Sequence, residues 1–532
     1  METKTYDNIP KEKFQFANKK DFGKDKKLDT KPVGYMHDAF KRFCKNKGSI
    51  VAAVVILILI LFALITPLCT PYSVSYSDAY YKWVLPKSEL FAKTNFWDGC
   101  KKQEDNEETF IFYYAMGLET GHNAVKDQKY STVVKMDPTN KMQTYYVYRR
   151  DSYQSTGCIF VNVTDEQYKK IQKYQDETGI QVLYPTIDQD VRDDRTIRAE
   201  QDKDNANLYY YTTVVAGKSV AVLDKNGNVT PFYKSHAVGE VDPATGKVAD
   251  QYQSSRIAGD GENGIEYEYA QPKDVGWEVR VNYYEYYVYN HNYVAKDGIK
   301  KPSFLFGTTD SGQDILTCLA SGARFSFIFA IAVAVVNMFV GAIYGAIEGY
   351  YGGKIDLVME RISDILAAVP FMIVITLLKL HMGGTSNILI LFIAFFLTGW
   401  IGMAGTTRMQ FYRFKNQEYV LAARTLGAKD RRLMWKHIFP NSLGTLVTSS
   451  ALVIPGMIYS ETNLSYLGII NLSSGNLSSV GTILASGQPY LMSFPHIIAF
   501  PSVFLALLML SFNLFGNGLR DAFNPSLRGS EG

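Results

Sequence analysis

The chain has 532 residues, of which 47% are hydrophobic and 20% charged, and its formal net charge is +3. This length exceeds one typical domain, and a mean hydropathy of -0.08 conceals a division between strongly apolar and strongly polar stretches. Five cysteines are too few for a disulfide scaffold, and no basic patch interleaved with aromatic residues indicates nucleic acid as a partner.

The N-terminal segment, residues 1–48, holds 13 Lys or Arg residues and little apolar periodicity. We predict a mobile tail that ends in an amphipathic helix lying on the membrane over residues 35–43. An apolar stretch near 49–66 follows and predicts a first transmembrane helix within 49–72. The leader is too long for a signal peptide, and residues 67–69 lack the small side chains of a cleavage site, so we expect this span to be retained.

Residues 73–305, called the insertion below, separate the first span from the next apolar stretch. We predict a mainly β, α+β domain on the extracytoplasmic side, with one helix over 165–177 capped by Thr164. The runs rich in β-branched or aromatic residues lie at 143–149, 158–163, 208–223 and 277–289, and turn signals lie at 137–138, 224–228 and 242–246.

Tyrosine is concentrated in the insertion, which holds 26 of the 37 tyrosines of the chain. Three interpretations are open: direct contact with a ligand, packing within strands or at hydrated surfaces, or a surface that docks another protein or covers an opening in the membrane region. Cys100 and Cys158 both lie in the insertion, and their pairing is also open. The densest run comprises Tyr283, Tyr284, Tyr286, Tyr287 and Tyr289.

A block rich in glycine follows the insertion and predicts a turn into an interfacial helix, with Arg324 reaching the lipid headgroups. After this block come five apolar stretches, each about 20 residues long as a bilayer span requires. With the first span they predict six transmembrane helices. The five stretches lie near 325–347, 357–378, 387–406, 443–462 and 495–516.

The third predicted span, residues 357–378, is the weakest because its first half contains Glu360, Arg361 and Asp364. A charge at the centre of a span costs about 2.5 to 3.5 kcal/mol. We expect these side chains to face protein or the cytoplasmic interface; alternatively, the span begins later, near Ile365. Asn337 and Asn513 also lie within spans, where they either form hydrogen bonds between helices or line a cavity.

The segment from Glu418 to Asn441 predicts two short helices. The first begins near residues 416–417, and Gly427 supplies the positive φ of its tight exit. The second runs over 431–439. Pro440 lacks an amide donor and restricts the residue before it, so we expect this second helix to stop before the next apolar stretch.

In residue order, this segment resembles the cytoplasmic coupling loop of the permease subunits of oligopeptide and dipeptide ABC importers, over 24 positions. The glycine-rich block is similar to the segment before the second span in C-type permeases of that family. The resemblance implies that the coupling loop docks on an ATPase subunit. The coupling residues it implies are Glu418, Ala422, Ala423, Arg424, Gly427, Lys429, His437, Pro440 and Asn441, and the matching residues of the block are Gly307, Thr308, Gly312, Asp314, Gly322 and Arg324.

The sequence departs from the family pattern at several positions. Leu421 stands where the general motif often has Glu, and His437 with Phe439 replaces an apolar pair. In the glycine-rich block Thr309, Gln313 and Cys318 replace an Asp and two Arg residues, so ion pairs formed there in relatives are not expected here. The ending that contains His437 and Phe439 resembles the sequence found in the peptide-importer branch of the family. We interpret His437 as a family marker, not as a catalytic base.

The resemblance implies the six-helix type I permease fold of ABC importers: a polytopic α-helical membrane protein. It assigns spans 2–6 to residues 306–516, the coupling loop to 407–442 and a C-terminal tail to 517–532. It implies alternating access driven by two ATPase subunits that carry ATP and Mg, with a B-type permease, a substrate-binding protein, membrane lipid and a peptide substrate as partners. No catalytic, cofactor-binding or metal-binding residue is expected on this chain.

Orientation follows from the basic residues. The loop over 407–442 holds eight Lys or Arg residues, whereas the loops at 379–386 and 463–494 hold only Lys379. We therefore predict a multi-pass protein of the bacterial plasma membrane with both termini in the cytoplasm and the insertion outside.

Other classes of function explain less of the sequence. Residues 348–355 resemble a phosphate-binding loop but lack its first glycine and its final Ser or Thr, so we interpret the glycines at 345, 349, 352 and 353 as close helix packing and a short turn. A membrane receptor explains the insertion alone, and an ion-driven transporter gives the coupling loop no role. Whether the cargo is an oligopeptide, a dipeptide or a metal chelate is left open.

Overall fold

The described part of the chain defines both a helical membrane region and a β-rich insertion. The tail before residue 35, the turn signals at 137–138 and 224–228, and the end of the chain from residue 524 lie outside it. The computed structural model describes residues 35–91, 94–136, 142–187, 212–215, 218–221, 235–236, 241, 243–247, 266–383, 386–472 and 478–523.

Long apolar helices form the membrane region. Among the described residues, five helices are long and apolar enough to cross a bilayer, or six if one bent pair is counted as a single span. The helices are α1 (Tyr35–Phe43), α2 (Lys47–Cys69), α3 (Glu107–Thr120), α4 (Asp165–Thr178), α5 (Tyr283–Tyr289), α6 (Ile315–Tyr351), α7 (Gly353–Ala367), α8 (Phe371–His381), α9 (Asn387–Phe414), α10 (Glu418–Thr425), α11 (Asp430–Arg432), α12 (Phe439–Tyr466), α13 (Val480–Gly487) and α14 (His496–Phe523), with π-helical turns at Asn290–Ala295 and Leu433–Ile438 and a 3₁₀ turn at Gln488–Tyr490.

The third predicted span is not one straight helix. It is the bent pair α7 and α8, whose axes differ by 72°. Pro370 precedes α8 in an extended conformation and has no amide hydrogen, which explains the break. Helix α7 begins at Gly353, before Ile365, and the point at which the span enters the membrane stays a prediction.

The charges of this segment divide between two environments. Glu360 faces protein, because it accepts hydrogen bonds from Arg408 of α9 at 2.8 and 3.0 Å. Arg361 and Asp364 are exposed and pair with each other at 3.1 Å across one turn of α7. The cost of placing charge in this stretch is thus offset by pairing on the same helix and with its neighbour.

Small residues allow α6 and α9 to pack closely. A Cβ added at Gly345 would overlap the carbonyl oxygen of Ala404, and one added at Gly349 would lie 2.7 Å from that of Arg408. The predicted role of these glycines in helix packing is confirmed. Asn337 donates to the carbonyl of Phe395 at 3.3 Å, which confirms the interhelical hydrogen bond expected there.

Buried hydroxyls also join the membrane helices around one carboxyl group. Glu461 of α12 is 1% exposed. It accepts hydrogen bonds from Ser326 of α6 at 2.9 Å and from Ser465, one turn further along α12, at 3.1 Å. Asn513 is exposed, so the two asparagines singled out in the sequence differ in role.

The insertion consists of small antiparallel sheets joined by helices α3, α4 and α5. One sheet has the strand order β1-β3-β2, and a second has the order β10-β11-β4, with β5 also paired to β11. Two further pairs are β6-β7 and β8-β9. The strands are β1 (Cys100–Asn106), β2 (Val125–Met136), β3 (Met142–Asp151), β4 (Cys158–Val163), β5 (Leu183–Tyr184), β6 (Thr212–Val215), β7 (Lys218–Ala221), β8 (Ser235–His236), β9 (Glu266–Tyr267), β10 (Ala270–Pro272) and β11 (Trp277–Asn282).

Local signals in the insertion were informative. The predicted helix after Thr164 is confirmed as α4, with a capping box in which Thr164 and Gln167 exchange hydrogen bonds. Strands β3 and β4 confirm the runs at 143–149 and 158–163. Cys100 and Cys158 are free thiols on β1 and β4, and burial raises the pKa of each to about 12.

The run at 277–289 is only half strand, which corrects the prediction. Strand β11 ends at Asn282, whose side chain accepts a hydrogen bond from the Glu285 amide and starts helix α5. The tyrosines that follow are therefore helical. Tyr283, Tyr287 and Tyr289 are buried, so packing, and not ligand contact, accounts for these three.

The two ends of the insertion are hydrogen-bonded to each other, and we call residues 78–87 together with 304–314 the neck. Tyr283 of α5 donates to Asp78 at 2.6 Å and Tyr153 donates to the carbonyl of Leu85 at 3.0 Å, so the insertion packs directly on the neck. The backbone amides of Asp78, Trp83, Thr308 and Lys87 donate to the carbonyls of Gly312, Thr309, Val84 and Phe304 at 3.3, 3.1, 3.0 and 2.9 Å.

At the other end of the membrane region, α1 packs on α14. The rings of Phe43 and Phe515 meet edge to face with centroids 5.4 Å apart. Gly518 leaves space for Ser49 of α2 at the same point. The predicted helix over 35–43 is confirmed.

Candidate coupling site

The segment from Glu418 to Asn441 forms a bent arm, which we call the elbow. Helix α10 ends at Thr425, and Gly427, two residues further on, has a φ of +83°, the left-handed conformation expected from the sequence. The amides of Gly427 and Ala428 donate to the carbonyls of Arg424 and Ala423, both at 3.0 Å. A glycine is required here by its backbone angle alone, because a Cβ would meet open space.

An apolar core lies beneath the elbow and fixes it to the ends of α6 and α9. Val420 of α10 is fully buried, and Ala423 packs against the same cluster from one turn further on. The other buried members are Ala346, Tyr350, Phe411, Leu433, Met434 and Ile438. The elbow is therefore packed directly against these two long helices.

Polar contacts brace the elbow from the outside of this core. Tyr350, at the end of α6, donates to Asp430 at 2.6 Å and accepts from Arg424 at 3.3 Å. Lys415 donates to the carbonyl of Gly349 at 2.9 Å, and burial lowers its pKa. These contacts tie both arms of the elbow to the end of α6.

The second arm does not stop at Pro440, which is a correction. The backbone stays helical from Asp430 to Tyr466 through the π-helical turn at Leu433–Ile438. Pro440 lies in the first turn of α12, where an amide donor is not required. The elbow thus continues directly into a transmembrane helix and can pass a displacement to it.

Most of the predicted coupling residues are exposed. Asn441 donates to the hydroxyl of Tyr419 at 3.2 Å and to the carbonyl of His437 at 2.8 Å, so the two arms also meet at their base. Burial raises the pKa of Tyr419. Ala423 and His437 are half-buried, and the exposed members are Glu418, Ala422, Arg424, Gly427, Lys429, Pro440 and Asn441.

The tip of the elbow carries an apolar side chain that the sequence analysis missed. Leu426 is 88% exposed, next to Gly427. A shallow cavity of about 600 Å³ in the second arm is lined by Lys429, Arg431, Arg432, Trp435 and Lys436. The described residues contain no group of three His, Cys, Asp or Glu side chains placed to hold a metal ion.

An ion cluster next to the elbow was also missed. Arg408 forms paired hydrogen bonds with Asp356, at 2.7 and 3.0 Å, and lies 3.7 Å from Glu348. Tyr412 donates to the same carboxylate of Asp356. The four-residue spacing of Asp356 and Glu360 places both on one face of α7, and this spacing was the available sequence signal.

The glycine-rich block lies at the opposite end of α6 from the elbow. Gly307 and Gly312 both have positive φ, and Thr308 bonds within the neck. Asp314 caps α6 by accepting from the Thr317 amide at 3.0 Å. The block is thus a turn that starts α6, as predicted.

The two remaining residues of the block lie within α6. Gly322 packs against the backbone of Ser479 and Val480, and Arg324 is half-buried. The structure does not bring the block and the elbow together, so the two sets of predicted residues form separate sites.

Two family models match this chain. Residues 338–529 match the binding-protein-dependent transport system inner membrane component. Residues 34–86 match the N-terminal TM domain of oligopeptide transport permease C. Between the two matches lie residues 87–337, which include nearly all of the insertion.

Three curated relatives each match 42% of this chain. The oligopeptide transport system permease protein OppC of Bacillus subtilis is 43% identical over 223 residues, which are 42% of this chain and 72% of that protein. The dipeptide transport system permease protein DppC of the same organism is 38% identical over 42% of this chain and 69% of that protein. OppC of Haemophilus influenzae is 41% identical over 42% of this chain and 70% of that protein.

A solved structure of the MetNI methionine ABC transporter in an inward-facing conformation covers 39% of this chain and 96% of that chain, with a TM-score of 0.31 and 16% identity. That likeness is too weak to bear on the arrangement of the helices. The family models and the curated relatives carry the assignment. The chain belongs to the C-type oligopeptide and dipeptide permeases of the binding-protein-dependent transport systems, and is a non-catalytic permease subunit of an ABC importer in the bacterial plasma membrane.

Proposed function

We propose that this subunit imports peptides and that the elbow is its contact with an ATPase subunit. The observation that carries the proposal is the exposed tip at Leu426 on an arm that continues without a break into α12. A force applied at the tip reaches the membrane helices through this rigid helix and through the apolar core under Val420. The names of the relatives support peptides as cargo.

The partners follow from the same proposal. Two ATPase subunits bind ATP and Mg, a B-type permease completes the pathway, and a substrate-binding protein delivers the peptide. The elbow and both termini then lie in the cytoplasm, and the neck and the insertion lie outside. A ligand-loaded binding protein can drive the cycle only if it binds one conformation of the permease more tightly than the other.

Leucine variants of equal exposure test the elbow. Leu426→Ser removes the apolar tip without disturbing packing, because Leu426 is 88% exposed; Leu90→Ser, in the insertion at the same exposure of 88%, is the matched control. We expect Leu426→Ser to reduce peptide-stimulated ATP hydrolysis by the reconstituted complex about tenfold, the effect of losing roughly 1.4 kcal/mol of interaction. Leu90→Ser should leave it unchanged.

A second variant tests the role of the elbow by changing its backbone. Gly427→Pro cannot adopt the positive φ and should abolish stimulation while the protein still inserts into the membrane. Stimulated hydrolysis at the normal rate in both Leu426→Ser and Gly427→Pro would refute the assignment of the elbow as the ATPase contact.

For the insertion we propose docking of the substrate-binding protein. The neck provides a clean deletion, since the Lys87 amide and the Phe304 carbonyl are already 2.9 Å apart. Replacing residues 88–303 by an Asn-Gly turn should leave a folded membrane region. Loss of binding-protein association in that variant is the expected result, and unchanged association would exclude a docking role.

A further inference from the structure

A cavity of about 620 Å³ lies where the insertion meets the segment before α14, far from the elbow in the chain. The neck, strands β1 and β3, the turn after β3 and residues 492–494 all contribute to its wall. Its lining includes Lys82, Trp83, Lys101, Gln103, Arg150 and Phe494.

Three of the side chains that line this cavity are cationic, and none of its described lining residues is Asp or Glu. Arg150 is held in place, with its guanidinium 5.0 Å from the ring of Tyr113 and 3.6 Å from Asp105. Lys101 donates to the carbonyl of Ser493 at 3.0 Å and so joins β1 to the segment before α14. Lys82 is exposed. The described lining therefore carries three positive charges, of which that of Arg150 is partly balanced by Asp105, and this excess favours an anion.

The rest of the wall combines aromatic surface with hydroxyl and amide groups. Trp83 stacks on Phe494, with centroids 5.7 Å apart and planes 12° apart, and lies 5.3 Å from Tyr490. Thr156 and Gln103 add polar groups on the other side. Concave sites of roughly 300 to 1,000 Å³ with apolar walls and a few polar anchors are typical of small-ligand binding.

We infer that this cavity binds the C-terminal end of a short peptide, with Lys82 and Arg150 pairing with its free carboxylate and Trp83 and Phe494 contacting its last side chain. The inference rests on the proposed function, since it assumes that peptides are the cargo. The three cations lie on three different segments, the neck, β1 and β3, around one concave space, which suits a small ligand better than a flat protein surface. A carboxylate also suits the arginine fork better than a neutral group does.

The test measures peptide binding to the full chain in nanodiscs of phosphatidylcholine, which supply no headgroup of net negative charge. Titration calorimetry compares pentaalanine with a free carboxylate against pentaalanine amide. We expect the acid to bind at least tenfold more tightly. Lys82→Gln and Arg150→Gln should each weaken binding of the acid about tenfold, the size of one lost charged contact, and leave binding of the amide unchanged.

The matched control is Lys169→Gln, which removes an exposed positive charge from α4 in the same insertion, and it should bind both peptides as the unaltered chain does. Equal affinities for acid and amide would overturn the inference. So would Lys82→Gln and Arg150→Gln variants that bind like Lys169→Gln. Loss of binding-protein association in these two variants, with peptide affinity intact, would also overturn it and make the cavity a docking site.

Uptake into proteoliposomes separates this inference from the proposed function. If the complex with the unaltered chain imports no peptide, the proposed function fails whatever the cavity binds. If it imports pentaalanine while the Lys82→Gln and Arg150→Gln variants bind the acid like the unaltered chain, only the assignment of the cavity fails.

Discussion

The membrane region and the insertion are stabilised by different means. In the membrane region, close helix contacts depend on small residues such as Gly345 and on a few buried polar groups such as Glu461. The insertion uses aromatic packing and buried polar anchors instead, with Arg280 held by Glu119 and Tyr283 by Asp78. This contrast fits the two solvents, because close backbone approach stabilises helices in lipid, whereas burial of large side chains stabilises a domain in water.

The contrast predicts that the membrane region and the insertion can be destabilised independently of each other. The largest effect is expected for Arg280→Met, since Arg280 is 1% exposed and both nitrogens of its fork bond Glu119, at 2.6 and 2.9 Å. Removing the positive charge that faces this buried carboxylate should cost about 3 to 5 kcal/mol. Limited proteolysis should then cut the insertion rapidly while the membrane region stays resistant. Protection of the insertion equal to that of the unaltered chain would contradict the role given to this pair.

Gly345→Val should destabilise the membrane region. Its side chain would overlap the Ala404 carbonyl, and overpacking of this kind costs about 1 to 3 kcal/mol. We expect a lower melting temperature in detergent and fewer monodisperse particles, with the insertion unaffected. Gly402→Val is the matched control on α9, because a Cβ there meets open space; an equal loss in both variants would show that packing against α6 is not the cause.

Tyr283→Phe sharpens the comparison at the junction itself. It removes the hydroxyl that donates to both oxygens of Asp78, at 2.6 Å each, from a buried site. A loss of about 1.5 to 3 kcal/mol is expected for a hydrogen bond to a charged group. The readout is hydrogen exchange, which should rise in the neck and in α5 but not in α6. Tyr293→Phe, near the end of the same segment and hydrogen-bonded to exposed Glu177, should have little effect.

The smallest effect is expected from pH and should be confined to the insertion. Burial alone would raise the pKa of Asp98, but hydrogen bonds from Lys126 and the Cys100 amide, together with the charge of Arg149, hold it below its ordinary value of 3.8. A pKa lowered by folding adds stability above the unfolded-state value, and that stability is lost as the pH falls through the folded-state value. Proteolysis of the insertion should therefore accelerate below about pH 4, and Asp98→Asn should weaken this dependence.

Sequence patterns predicted local features better than long-range ones. Thr164 correctly predicted the start of α4, and Gly427 correctly predicted the bend of the elbow. Both predictions succeeded because helix caps and positive φ angles depend on a few adjacent residues. Pro440 misled, since a proline also suits the first turn of a helix, and the π-helical turn before it is a tertiary adjustment. The strand prediction over 277–289 failed in its second half because the cap at Asn282 outweighed the strand preference of tyrosine.

The parts of the sites that sequence did not predict depend on distant contacts. Leu426 is an ordinary leucine in the sequence, and only its exposure marks it. The cluster around Arg408 joins residues 52 and 48 positions apart, and the cavity beside Trp83 joins the neck to residues 492–494. No local pattern specifies such pairings, whereas the family resemblance covered segments whose function lies within one continuous stretch.

The neck has a consequence for how this subunit evolves. The chain leaves the membrane region and returns to it at neighbouring points, where the Lys87 amide is bonded to the Phe304 carbonyl. The length of the segment between these two residues therefore has little effect on the membrane helices. Such an arrangement allows a whole domain to be gained, lost or exchanged in one step, without changes to the membrane helices.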